Sequence, residues 1–135
     1  MSKLLNRDAI LKSNDIETEE VYIKEWGGTV LVKALTGKER DQFERDSMVF
    51  NQVQGKTKAE MKDNIRARLV AITVVDEKHS PLFKKADIEA LGGKSAKAIN
   101  KIYNVASKLS GITEDDVDEL VKNSEETQEG DSTSA

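Results

Sequence analysis

The 135-residue chain has no cysteine and a single histidine, His79. The missing thiols exclude a disulfide framework, a thiolate zinc site, an iron–sulfur cluster and a cysteine nucleophile. One imidazole excludes any site that needs two from the same chain. The longest apolar run is Leu69-Val70-Ala71-Ile72, with Val74 and Val75 close behind. That is far short of the roughly 20 residues that cross a bilayer. The start of the chain carries charges and no signal-like apolar stretch. These absences point to a soluble, cytoplasmic protein without a membrane partner, and no residue emerges as catalytic, cofactor-binding or metal-binding.

What is present is one modest core's worth of apolar residues, 37%, under a surface supplied by 34% charged residues. The formal net charge of −4 is unevenly placed. Residues 124–135 hold Glu125, Glu126, Glu129 and Asp131 and no base, which leaves 21 bases against 21 acids before them. The body is neutral on balance and the acidity lies in the tail.

Three segments follow. Residues 1–17 form an N-terminal arm with Leu4, Leu5, Ile10 and Leu11 and a short helix near Asp8–Ser13. Residues 18–123 form one globular domain. Residues 124–135 form a disordered acidic tail, since Ala135 is their one apolar residue.

The domain opens with strand periodicity. Val21 and Ile23, then Val30, Val32 and Ala34, alternate with polar positions, and Gly27-Gly28 suits a two-residue turn in a hairpin over 19–34. That register pairs Ile23 with Val32 and Val21 with Ala34. The other face then carries Tyr22, Lys24, Trp26, Thr29, Leu31 and Lys33.

Helix signals take over after Thr36. Thr36-Gly37-Lys38-Glu39 and Thr57-Lys58-Ala59-Glu60 read as capping boxes. The second precedes Met61, Ile65, Leu69 and Ile72 at helical spacing, so this helix should be central, with Val74 and Val75 fraying its end. A short helix over 85–91 stops at Gly92-Gly93. Ser95 caps a helix with an apolar stripe of Ala98, Ile99, Ile102, Val105, Ala106 and Leu109. Thr113 caps a last one, with Val117, Leu120 and Val121 inward and three carboxylates in the first turn, where the helix dipole favours them. The expected fold is mainly α within the α+β class: a bundle of about four to six helices with one N-terminal two-stranded antiparallel hairpin.

Candidate chemical motifs resolve into ordinary structure. Gly93-Lys94-Ser95 matches the end of a phosphate loop, but Ile88 stands where the loop needs a glycine and no buried strand precedes it. His79-Ser80 lies in a turn without a third group to complete a triad. Residues 114–119 are acidic, yet counting a calcium loop from Asp116 puts Val121 and Thr127 where glycine and glutamate are required. Lys94, Lys97, Lys101 and Lys108 share one side of a helix. As a recognition helix they would make the chain a small DNA-binding phage or regulatory protein, the alternative reading. The helix has no arginine for guanine, and its amides are Asn100 and Asn104, so a solvated lysine face is the ordinary reading and nucleic acid is not the expected partner.

The order of segments is distinctive. A short helix and acidic linker lead to VYIKEWGGTVLVKALTGKERDQFE, then NIRARLVAITVVDEKHSPLF, then KADIEALGGKSAKAINKIYNVASKLSGITEDDVDELVKNS. Over residues 5–124 this resembles the tail assembly chaperones of long-tailed bacteriophages and related prophage elements. The resemblance rests on the Val-x-Ile strand, the VKALTGxER step, the DE…PLF turn and the closing LSGITxxDV. It implies a non-enzymatic chaperone in the host bacterial cytoplasm, absent from the mature virion. Its partners would be the tape-measure protein and, through a longer frameshifted form, the tail-tube protein; self-association is left open. The candidate partner-binding residues are Tyr22, Trp26 and Leu31, on a face that holds the chain's one tryptophan. The arm is expected to fold over that face and to be displaceable by a client.

Overall fold

Every α-helix but Ile88–Gly92 starts where a side chain satisfies a free N–H group of its first turn. In the computed structural model, which describes residues 2–133 and the side chains up to residue 123, Asn6 caps α1 (Arg7–Lys12) and its side chain accepts from the Ala9 N–H at 2.8 Å. Thr36 and Glu39 form a complete capping box on α2 (Gly37–Asn51), and Thr57 caps α3 (Lys58–Thr73). Then come α4 (Ile88–Gly92), α5 (Ala96–Ser110), capped by Ser95, and α6 (Glu114–Thr133). The α6 backbone continues as helix past Ser124, into residues that composition alone assigns to a tail.

The strands are β1 (Thr18–Ile23), β2 (Gly28–Lys33) and β3 (Val74–Val75), in the order β1-β2-β3 and antiparallel throughout. The expected two-stranded hairpin is therefore the larger part of a three-stranded sheet. Val74 and Val75 do not fray from α3. The helix ends where Val74 turns extended, at φ −83° and ψ 121°, and the two β-branched residues pair with Val32 and Leu31.

The hairpin register also differs from the expected one. Val21 pairs with Val30 and Ile23 with Gly28, a shift of four residues. A single 3₁₀ turn, Lys24–Trp26, occupies the tip, and Gly27 closes it in the left-handed region at φ 68°. Gly28 is thereby freed to begin β2. Because the shift is even, each residue that remains in a strand stays on its face, while Lys24, Glu25 and Trp26 leave the ladder for the turn.

Val21, Ile23, Val32 and Val74 enter the core with Met61, Ile65, Leu69 and Val70 of α3 and Ala98, Ile99, Ile102 and Ala106 of α5. α3 is central as its pattern requires and packs on α2, α4, α5 and α6; α5 is laid against β1 and β2. Ile72, Val105, Leu109 and Leu120 are half-buried, while Tyr103, outside the expected stripe, is buried. Gly111 ends α5 at φ 69°. Its N–H and that of Ile112 close back on the last turn, which buries Ile112 beside it.

Candidate partner-binding surface

The sheet's second face is assembled from side chains that alternate away from the core. Glu20 pairs with Leu31, Leu31 with Val75, and Val75 with Pro81 through an isolated bridge, so these four form one row across the sheet. Tyr22 pairs with Thr29 and stands diagonal to Leu31. Tyr22 is 56% exposed, Leu31 is half-buried and Val75 is buried, and none of them joins the main core cluster. The part open to solvent is Tyr22 with half of Leu31, bordered by the acid Glu20, while Val75 is buried beneath the row.

The structure thus brings Tyr22 and Leu31 together as the sequence reading has them. It separates Trp26 from them. With the 3₁₀ turn in place, Trp26 lies at the hairpin tip, 36% exposed, beside α5 rather than on the strand face. Val75 and Pro81 were not anticipated as part of the surface. The one signal for them was the paired β-branched residues at the end of a helical pattern.

β1 is an edge strand. The Glu17 carbonyl accepts from the Ala34 N–H at 2.8 Å, so odd-numbered β1 residues bond inward and the backbone groups of Thr18, Glu20 and Tyr22 point outward. Lys101 of α5 donates its ammonium to the outward Tyr22 carbonyl at 2.6 Å. A lysine across an edge blunts its capacity to template further strands.

The arm does not cover this face. α1 buries no residue, and Leu4, Leu5, Ile10 and Leu11 are 101%, 62%, 54% and 67% exposed. The expected arm coverage is therefore corrected. The six residues of α1 are capped by Asn6 at the start and by Ser13 at the end, whose N–H and hydroxyl both donate to the Ile10 carbonyl.

The four lysines of the alternative reading are all exposed. Lys94 precedes α5, while Lys97, Lys101 and Lys108 are on it. Lys101 is committed to the hairpin backbone, which takes one cation from any phosphate-binding row. His79 is exposed in the turn between β3 and Pro81, at φ 65°. Asp76 holds that turn by accepting from the Lys78 and Ser80 N–H groups at 2.8 and 3.0 Å.

A cleft of about 190 Å³ between α2, α3 and α4 is lined by Phe43, Ala71, Ile72, Phe83 and Ile88. It is smaller than the roughly 300–1,000 Å³ that holds a drug-sized ligand. At its rim burial lowers the Arg68 pKa, against the opposing pull of Asp46. The Asp46 carboxyl is held below the usual range: burial pushes it up, but bonds from Lys85 and Gln42 and the nearby Arg68 outweigh it. Lys85 reaches Asp46 at 3.1 Å. Among the described residues no group of acids and histidine is placed to hold a metal, and no helix is long and apolar enough to cross a membrane.

The fold and this surface define a small α+β protein whose distinctive groups are apolar side chains presented to solvent. The family model of the phage tail assembly chaperones matches residues 5–129, and the chain belongs to that family. Among solved structures, that of the bacteriophage HK97 tail assembly chaperone is similar in fold. Its TM-score is 0.54 at 17% identity, over 70% of this chain and 85% of that one. No curated protein matches the chain.

Proposed function

We propose that the chain is a non-enzymatic chaperone that binds the tape-measure protein and helps recruit tail-tube subunits during tail assembly. Family membership supports the assembly role. The observation that carries the binding role is the exposure of Leu4, Leu5, Ile10, Leu11 and Tyr22, grouped in the arm and first strand, apart from Val49, Val53 and Leu82, which are also exposed. A holder of a long client needs apolar contact area that stays in water when the client is absent. Tyrosine and tryptophan suit that compromise, because each joins an apolar ring to a polar group.

On this reading the client meets the Tyr22–Leu31 face, and Trp26 adds a second contact at the hairpin tip. The work is done in the host cytoplasm and the protein leaves before the virion is complete. A longer frameshifted form would carry its tube-binding domain beyond the end of α6. Co-expression with the tape-measure protein tests the reading. The wild-type chain should keep the client soluble and co-purify with it. Tyr22→Ser combined with Trp26→Ser should abolish co-purification while the melting temperature holds, because both side chains are exposed. Undiminished capture by this double variant refutes the assignment of the surface.

A further inference from the structure

The cleft between α2, α3 and α4 holds a cation that no acid of the fold touches. Arg68 is half-buried on its wall, and burial holds the Arg68 pKa down. Its Nε and one Nη2 hydrogen share a single acceptor, the Asn64 side-chain oxygen, at 3.3 and 3.2 Å. The nearby Asp46 is already engaged. One of its oxygens accepts from Gln42 at 2.8 Å and the other pairs with Lys85 at 3.1 Å. Glu39, on the same rim, is taken by Lys33 and by the Thr36 N–H. Among the described residues no carboxylate oxygen makes an ion pair with the guanidinium, so Nη1 and the second Nη2 hydrogen remain to be bonded. A charge withdrawn from water is ordinarily paired. Lys84, exposed on the same rim, adds a second cation.

The floor beside Arg68 is apolar. Phe43, Ala71, Ile72, Phe83 and Ile88 line the roughly 190 Å³. A closed apolar cavity of about 150 Å³ holds benzene, so this cleft has room for one large side chain. A weakly hydrated, planar guanidinium beside such a floor suits a carboxylate held bidentately.

We propose that the cleft docks a partner segment that presents one large apolar side chain, aromatic or leucine, next to a carboxylate. The side chain fills the cleft and the carboxylate takes the spare N–H groups of Arg68. Neither Tyr22, Trp26 nor Leu31 lines the cleft. The proposal therefore stands or falls apart from the client-binding reading of the sheet face.

Titration of the ¹⁵N-labelled full chain with acetyl-Phe-Glu-amide, followed by amide chemical shifts, tests it. Saturable shifts should cluster at Phe43, Arg68, Ala71, Ile72 and Phe83. Acetyl-Phe-Gln-amide keeps the size and loses the charge, and should bind several-fold more weakly. Acetyl-Ala-Glu-amide should not saturate. Arg68→Met should bind the two phenylalanine peptides alike, and its melting temperature should not fall, because no ion pair is lost. Should that variant fail to fold, the three peptides on the wild-type chain still decide. Equal affinity for the Glu and Gln peptides overturns the carboxylate contact. Saturation by the alanine peptide at the same concentration as the phenylalanine one, or shifts that neither saturate nor cluster at the cleft, overturns the site. A preference for Glu over Gln that persists in Arg68→Met assigns the carboxylate to the rim lysines and overturns the role of Arg68.

Discussion

Lys33 ends β2 with its side chain buried, and its ammonium reaches Glu39 and, at 3.2 Å, the Ala34 carbonyl. Breaking a buried pair from one side strands a charge and costs about 3–5 kcal/mol when both partners are buried. Glu39 is partly exposed, so the loss here should be smaller. Glu39→Ala should still destabilise more than Lys33→Met in urea unfolding, because the methionine removes the charge that needs a partner. Burial pushes the Glu39 pKa up, but bonds from Lys33 and Thr36 outweigh it and hold the carboxyl low. Asp116 is held low by the Thr113 N–H and hydroxyl and by Arg40. Both groups bind fewer protons folded than unfolded. They therefore stabilise above the ordinary carboxylate pKa of about 4, and that contribution is lost as pH falls through their lower folded values. Glu39→Gln and Asp116→Asn should flatten the fall of the urea midpoint between about pH 5 and 3. At the buried end of the scale, Leu69 has no exposed surface, and Leu69→Ala should cost about 2–5 kcal/mol.

At the scale of elements the hairpin tip gives the sharpest contrast. A two-residue type I′ Gly-Gly turn would need both glycines at positive φ, whereas only Gly27 adopts it here. Gly27→Ala should cost about 1 kcal/mol or more through backbone strain, with no neighbour within 4 Å to add a clash. Gly28→Ala, in the strand and with equal space, should change thermal stability by less than about 0.5 kcal/mol. Equal losses at both positions would restore the two-residue turn and the register that goes with it. The helices pose no such ambiguity. Capping residues and glycine stops set their ends locally, so α2, α3 and α5 begin where the sequence says they do.

For the whole molecule, the apolar contribution of α6 comes from Val117 and Val121, both buried, and half-buried Leu120. All three precede residue 124, and the remaining residues carry one apolar side chain. A chain ended after Asn123 should therefore melt within about 2 °C of the full one, since deletions that remove no packing change stability little. A larger fall in a calorimetric scan would show that the acidic end contributes to the fold.

The sequence by itself determined what depends on neighbours along the chain. Caps, glycine stops and the period of apolar residues fixed most of the helices, the central place of α3, the two strands of the hairpin and the face each residue takes. The order of those segments also carried the family. Tertiary structure decided what depends on distant partners. Val74 and Val75 are β-branched in any context, but only β2 lying alongside makes them a strand. Faces survive a register shift of four because side chains alternate with period two, so the pattern could not choose between the two pairings; the conformation of Gly27 did. Trp26 left the strand face for the same reason. Leu4, Leu5, Ile10 and Leu11 look like core residues in sequence, since apolar composition cannot tell a residue that packs at home from one that waits for a partner. Only the folded chain, which closes its core without them, shows that they remain in water.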